Sequence, residues 1–236
     1  MTTYCKLLAL FLLIATAGCT FKTEEYLRPD QVTDFKTLYS ENCSGCHGAD
    51  GRMGAAVALN DPLFQHLAPK DFVRKTIANG IPGHMMPGAA KTAGGFLTDR
   101  QIDILVDGMQ QNWGRPGDFG NPPQLLVEGA APGDVQRGDA AYKTFCSSCH
   151  GPDGAGGKAG SIIDPQYLAM ATDQYLRTTA IVGRPDLNIP DWRGYVSGRP
   201  MTGQEVSDVV AWIASHRTAP TLITRDQPRD QPKENQ

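Results

Sequence analysis

The chain has little of what membrane-spanning, β-sheet or nucleic-acid-binding proteins need. Its longest mainly apolar stretch, residues 7–17, has 11 residues including Thr16, whereas a membrane-spanning helix needs about 20. No segment alternates apolar and polar residues, so strands are not expected. The 236 residues carry a formal net charge of −3 and no basic run, which gives no indication of nucleic acid as a partner. These absences favour a packed, helical, mildly acidic protein.

The first 18 residues have the composition of a signal peptide. Lys6 precedes the apolar run, and small residues follow it up to Cys19. Residues 17–19 resemble the lipobox of bacterial lipoproteins, in which the cysteine receives a lipid, although Thr16 stands where leucine is usual. The resemblance implies an exported protein anchored to a membrane through Cys19. Cleavage after Ala17 without lipid would instead release a soluble periplasmic protein.

Cysteine is scarce, and its placement is informative. Two of the six cysteines lie in the first 19 residues, and the other four form two C-x-x-C-H-G motifs at residues 43–48 and 146–151. In C-x-x-C-H, the two thiols add to the vinyl groups of haem c and the histidine binds the iron. Zinc would need two further ligands for each pair, and only three histidines lie outside the motifs. The sequence therefore predicts two covalently attached haem c groups. The predicted attachment residues are Cys43, Cys46, Cys146 and Cys149, with His47 and His150 on the irons.

The two motifs belong to an internal repeat. Cys43 and Cys146 are 103 positions apart, and the same offset relates Gly80 to Gly183. Leu97 aligns with Met201 at an offset of 104, so one residue is inserted in between. The repeat and its flanks predict a signal peptide (1–18), a tether (19–31), a first domain (32–113), a Gly- and Pro-rich linker (114–134), a second domain (135–217) and a disordered polar tail (218–236).

Each copy is predicted to begin and end with an amphipathic helix. Residues 32–41 and 135–145 place their apolar side chains on one helix face and lead into the cysteine motifs. The closing helices follow Thr98 and Thr202, and each threonine forms a capping box with the residue three positions on, Gln101 or Glu205.

With these features the sequence resembles two consecutive class I cytochrome c domains, as in bacterial di-haem cytochromes c. The resemblance covers roughly residues 32–112 and 135–217, including a Met-Pro loop in the first copy. It implies an all-α fold in which each domain surrounds one haem and leaves one haem edge exposed. It also implies a methionine as the sixth iron ligand, and Met86, followed by Pro87, matches. Met85 and His84 are the local competitors, with Met85 interpreted as a core residue and His84 as solvated.

The second copy departs from the family pattern at this ligand. The 103 offset places Ile189 where the first copy has Met86, and isoleucine cannot bind iron. Met201 is the predicted ligand; packing at a helix cap, as expected for Leu97, is the alternative. Met170 is interpreted as a core residue.

Other side chains near this loop are open to more than one interpretation. Trp192 and Tyr195 could fill space, and an indole N–H could also reach a haem propionate. Arg184, Arg193 and Arg199 are interpreted as solvated charges or as propionate partners.

The resemblance implies an electron carrier rather than an enzyme, passing single electrons between a periplasmic donor and an oxidase or reductase. A nucleotide fingerprint and a catalytic triad are both missing from the sequence. One alternative is a haem enzyme or gas-binding protein with an open sixth position on the second haem. Another is a cytochrome subunit tethered to a membrane respiratory complex.

Overall fold

The computed structural model of the chain describes residues 27–218. The predicted signal peptide, Cys19, most of the predicted tether and all but the first residue of the predicted tail lie outside this range. In the described part, no helix combines the length and apolar character needed to cross a membrane. Residues 27–31 contain one 3-10 turn, Pro29–Gln31.

The rest of the described chain is helical and repeats itself. The first repeat contains α1 (Phe35–Asn42), α2 (Ser44–His47), α3 (Pro62–Leu67), α4 (Lys70–Asn79) and α5 (Asp99–Trp113). The second contains α6 (Val135–Phe145), α7 (Ser147–His150), α8 (Pro165–Met170), α9 (Asp173–Val182) and α10 (Gly203–Ser215). Two short 3-10 turns, Lys91–Ala93 and Pro185–Leu187, lie in the loops before α5 and α10. Between residues 27 and 218 extended pairing is limited to isolated bridges, so the predicted all-α fold is confirmed.

Side-chain caps decide where the helices begin. The capping boxes predicted at Thr98 and Thr202 are both present. The first helix begins at Phe35, three residues later than residue 32, because the Asp34 carboxylate accepts a hydrogen bond from Thr37 N at 2.7 Å and caps the helix there. Asp134 caps α6 in the same way.

In each repeat the first helix packs on the closing helix. Tyr39 on α1 meets Trp113 on α5 edge-on, with ring centroids 4.9 Å apart, and Tyr142 on α6 stacks on Trp212 of α10 at 4.2 Å. The Tyr39 hydroxyl donates to the Gly48 carbonyl at 2.8 Å, and the Tyr142 hydroxyl donates to that of Gly151. The helix contact therefore also fixes the turn that follows each C-x-x-C-H motif.

The segment between the repeats, residues 114–134, contains no regular element but lies against both repeats. Phe119 stacks on the His66 ring of the first repeat at 4.7 Å. On the other side, Arg177 of α9 donates to the Gln124 carbonyl from Nε at 2.9 Å and from Nη2 at 2.7 Å, and Leu125 is buried. The connection is thus held by specific bonds, and the domain boundaries within it stay a prediction.

Candidate haem sites

Each C-x-x-C-H motif lies at a break between two helices. Cys43 ends α1 by donating its backbone N–H to the Tyr39 carbonyl, and its own carbonyl then accepts from the N–H groups of Cys46 and His47. This single turn, α2, brings two thiols and one imidazole together, and α7 repeats it at Cys146, Cys149 and His150. No disulfide joins these four cysteines, and in each pair the first is partly buried and the second exposed.

The two histidines are oriented by equivalent carbonyls. His47 Nδ1 lies 2.9 Å from the Val57 carbonyl oxygen, and His150 Nδ1 lies 2.7 Å from that of Gly160, which is 103 positions after Val57. A carbonyl can only accept, so Nδ1 carries the proton and Nε2 keeps a lone pair. An imidazole held in this way has the tautomer that an iron ligand needs.

The side chains at each motif limit the group that it can hold. Burial raises the pKa of the Cys43 thiol to about 11 and that of the Cys146 thiol to about 12, and the second cysteine of each motif adds to the effect. In residues 27–218, no three or more His, Cys, Asp or Glu side chains are grouped so that they could hold a metal ion. The donor set at each motif, two thiols and one imidazole, fits haem c.

The loops after α4 and α9 confirm the alignment of Met86 with Ile189. Gly80 and Gly183 end these helices with φ of 67° and 71°, and a side chain at either would overlap the backbone of the following loop. The next residue in each repeat donates its N–H across the loop, to the Met86 carbonyl in the first repeat and to the Ile189 carbonyl in the second, both at 2.9 Å. The second repeat therefore presents an isoleucine where the first presents a methionine.

The structure separates Met86 from its neighbours. Met86 is partly buried and packs against the core, whereas Met85 is 73% exposed, so the interpretation of Met85 as a core residue is wrong. Met170 is 52% exposed, and its interpretation as a core residue is wrong for the same reason. His84 is not simply solvated, because its Nδ1 lies 3.0 Å from the Met170 carbonyl oxygen in the other repeat.

Met201 lies in the place that Leu97 has in the first repeat. Its side chain is 1% exposed and its N–H donates to the Trp192 carbonyl at 2.9 Å, while the Leu97 N–H donates to the Ala89 carbonyl at 2.8 Å. The predicted one-residue insertion thus falls between Trp192 and Met201. Both the ligand role and the packing role for Met201 stay predictions.

Of the two aromatic side chains near the second motif, Trp192 has a property that fits a bound haem and Tyr195 is partly buried beside Cys146. Trp192 is 7% exposed, and within the described residues its Nε1 is a buried donor without a partner. Such a donor is costly to bury unless an acceptor completes it, and a haem carboxylate has the right chemistry. Burial raises the pKa of Tyr195 well above its usual value, and the nearby Cys146 adds to the effect. Both residues lie in or next to the segment between Trp192 and Met201 that contains the inserted residue.

The sequence did not reveal that the loop between α9 and α10, residues 183–202 and hereafter the second ligand loop, reaches the first repeat. Arg184 is 5% exposed and paired with Asp186, so its interpretation as a solvated charge is wrong, and its role as a propionate partner stays a prediction. Asp186 accepts from the N–H of Met53, 133 residues earlier, at 2.7 Å. The repeat alone gave a signal for this pair. At the offset of 103, Arg184 and Asp186 align with the uncharged residues Ile81 and Gly83 of the first repeat, so the charges are specific to the second repeat.

Comparison with known proteins identifies both repeats. Residues 30–107 match the family described as cytochrome c oxidase, cbb3-type, subunit III, and residues 135–217 match the cytochrome c family. The chain belongs to the di-haem cytochromes c. The prediction of two covalently attached haem c groups, one for each repeat, is therefore confirmed.

The similar proteins are subunits of respiratory complexes. A cbb3-type cytochrome c oxidase subunit CcoP of Rubrivivax gelatinosus is 32% identical over 136 residues, 56% of this chain and 38% of that protein. A cytochrome bc1 complex cytochrome c subunit of Mycobacterium tuberculosis is 25% identical over 179 residues, 75% of this chain and 61% of that protein. The corresponding Corynebacterium diphtheriae subunit is 30% identical over 200 residues, 80% of this chain and 68% of that protein. The chain thus spans less than two thirds of the length of the first two of these relatives.

Proposed function

We propose that this di-haem cytochrome c carries single electrons outside the cytoplasmic membrane, between a redox donor and an oxidase or reductase, and is not an enzyme. Haem c supplies one-electron chemistry at each site. The single observation that carries the proposal is the direct contact between the two repeats at their haem-binding segments, through Asp186 and Met53. A pair of joined sites offers a route from a partner on one repeat to a partner on the other.

The residues around the first motif favour electron transfer over binding of small molecules. His47 is held in the ligand tautomer by Val57, and we propose Met86 as the sixth ligand of the same iron. A thioether ligand favours ferrous iron, and a six-coordinate iron leaves no position for a substrate. The Met86 side chain packs against the core and is thereby held in one place.

The second motif supports an alternative for its own haem. Ile189 occupies the position of Met86, so the second iron would be held by His150 together with Met201 or by His150 alone. With Met201 on the iron, both repeats carry electrons. With no ligand there, the second repeat becomes a site for diatomic gases or for catalysis, fed with electrons by the first.

Carbon monoxide binding to the reduced holoprotein separates these cases. We expect no binding in the wild type and one equivalent in Met201→Ala. Leu97→Ala is the matched control, because it removes an equally buried side chain at the equivalent position of the first repeat. If Met201→Ala binds no more than Leu97→Ala, Met201 only packs. One equivalent bound by the wild type would overturn the purely electron-carrying proposal.

We further propose that the protein is held at the membrane by a lipid on Cys19 and serves as a cytochrome subunit or partner of a respiratory complex. The supporting observations are the lipobox-like residues 17–19 and the relatives, which are named as subunits of such complexes. Cys19→Ser should release the holoprotein from the membrane fraction, whereas Cys5→Ser, inside the predicted signal peptide, should not. Release of the wild type in soluble form would contradict the anchor, and co-purified oxidase or reductase subunits would identify the partner.

A further inference from the structure

The contact between the repeats is built around one buried ion pair, Arg184 with Asp186. Arg184 donates to the Asp186 carboxylate from Nε at 2.9 Å and from Nη2 at 2.8 Å, and both side chains are 6% exposed. The pair lies inside a loop closed by two backbone bonds between Arg184 and Ile189, both 2.9 Å. Charged groups are rarely buried unless they are paired and further hydrogen-bonded. The further hydrogen bonds of Arg184 and Asp186 therefore show which parts of the protein this pair connects.

Arg184 also bonds the Tyr175 side chain in its own repeat, and two further bonds of the pair go to the other repeat. Arg184 Nη2 donates to the Gly54 carbonyl at 2.8 Å, and the Asp186 carboxylate accepts from the Met53 N–H at 2.7 Å. Met53 has φ of 63°, a conformation that is strained for a side chain of this kind. Its counterpart in the second repeat is Gly156, which adopts positive φ without that cost. The cross-repeat bond thus stabilises a backbone conformation that methionine does not favour.

Gly54 transmits the contact to the first haem motif. A Cβ on Gly54 would overlap the Cys46 carbonyl oxygen and lie 2.5 Å from the carbonyl carbon of His47, so its backbone rests directly on the haem-attachment turn. Because Arg184 Nη2 lies 2.8 Å from the Gly54 carbonyl oxygen, the guanidinium charge lies close to the turn that carries His47.

We propose that Arg184 and Asp186 form a clamp that positions the ligand loop of the second repeat on the haem-attachment turn of the first, and that sets the reduction potential of the first haem. They are positioning residues, since they act through Gly54, Met53 and His47. The proposal rests on the proposed function, because it requires two haems that exchange an electron. Reduction of the first haem adds one negative charge, so a nearby guanidinium favours the reduced form and a nearby carboxylate disfavours it.

The test uses redox titration and small-angle X-ray scattering of the purified holoprotein. Arg184→Met should lower the midpoint potential of the first haem and increase the radius of gyration. Asp186→Asn should loosen the clamp similarly but raise the midpoint potential, because it removes the opposite charge. The two midpoints are assigned with the double variant Cys43→Ala, Cys46→Ala, which keeps only the second attachment site.

Arg137→Met is the matched control. Arg137 makes an equally bidentate pair with buried Asp208, at 2.8 Å for both bonds, but wholly inside the second repeat. It should lower stability and leave the first midpoint and the radius unchanged. If Arg184→Met fails to fold, Arg184→Lys tests the same point, since it keeps the charge without the fork and should enlarge the radius at an unchanged midpoint.

Three outcomes overturn the proposal: an unchanged scattering curve and midpoint in Arg184→Met, equal effects in Arg137→Met, or midpoint shifts of the same sign in Arg184→Met and Asp186→Asn. Failure of the proposed function is distinguishable. It would appear as fewer than two haems for each wild-type chain, or as haems that exchange no electrons, before any variant is compared.

Discussion

Phe35 on α1 packs over Gly108 on α5, and the second repeat makes the same contact with the large and small residues exchanged. Gly138 stands 103 positions after Phe35, and Trp212 stands 104 positions after Gly108. A Cβ on Gly108 would overlap the Phe35 ring, whereas a Cβ on Gly138 would overlap the Asp208 carbonyl oxygen and lie 2.6 Å from Trp212 Cβ. The first and closing helices therefore approach each other closely in both repeats, although the glycine that allows this lies on the closing helix in the first repeat and on the first helix in the second.

Gly138→Ala should destabilise the holoprotein by about 1–3 kcal/mol, the usual cost of overpacking. Gly108→Ala should cost less, because the Phe35 side chain can move away while the Asp208 backbone cannot. Denaturant unfolding followed by far-UV circular dichroism measures both. Gly45→Ser is the control: Gly45 has open space around it and the second repeat already has Ser148 there, so no loss is expected. A larger loss for Gly108→Ala than for Gly138→Ala would contradict the packing argument.

Met86→Ala should open the first iron to carbon monoxide, and Met85→Ala should not. Met86 packs against the core, while Met85 is 73% exposed and points to solvent. We expect one equivalent of carbon monoxide bound by reduced Met86→Ala and a lower midpoint potential for that haem, because a ligand favouring ferrous iron is lost. Binding by Met85→Ala instead would move the ligand assignment to its neighbour.

The helices of this protein are readable from its sequence because their signals are local. The apolar face predicted for the first closing helix is buried throughout, from Ile102 and Leu105, both 0% exposed, to Val106 at 8%. Capping boxes fixed both helix starts within a few residues. The start of α1 was misplaced because the apolar Val32 continued the helical period past the Asp34 cap, and a period carries no information about its own end.

The cross-repeat contacts were not readable, because nothing local encodes them. Asp186 and Met53 are 133 residues apart, and neither residue type indicates a partner at that distance. The exposure of Met85 and Met170 was missed for a related reason. Met85 follows His84, whose ring bonds the Met170 carbonyl, so the surroundings of both methionines depend on how the two repeats meet rather than on the sequence around them.

Trp192→Phe should lower the midpoint potential of the second haem while preserving the fold. The substitution removes the indole N–H, which is buried and lacks a partner within the described part of the chain, and keeps an aromatic ring in its place. If that group donates to a haem carboxylate, it offsets a negative charge and so favours the reduced iron. Redox titration measures the change, with Trp113→Phe in the first repeat as the control. An unchanged second midpoint would show that the indole does not bond the haem.

Asp208→Asn should destabilise the second repeat at neutral pH. The Asp208 carboxylate is 3% exposed and accepts hydrogen bonds from Arg137, from Gln204 Nε2 at 2.9 Å and from the Asp134 N–H at 2.8 Å. Loss of a hydrogen bond to a charged group costs about 1.5–3 kcal/mol. Asp103→Asn, an exposed carboxylate on the first closing helix paired with Arg74, should cost about 1 kcal/mol or less. Denaturant unfolding at pH 7 compares the two.

The same carboxylate predicts how acid acts on the protein. Burial by itself would raise the pKa of Asp208, but the bonds from Arg137 and Gln204 outweigh it, and the pKa lies below the ordinary 3.8. A group with a lowered folded-state pKa contributes its full stability above the unfolded value and loses it as the pH falls through the folded value. The stability difference between wild type and Asp208→Asn should therefore be constant from pH 7 to pH 5 and shrink below pH 3.8. Because the first repeat has Ile104 at this position, a difference that persists unchanged at lower pH would show that packing, not charge, distinguishes the two repeats here.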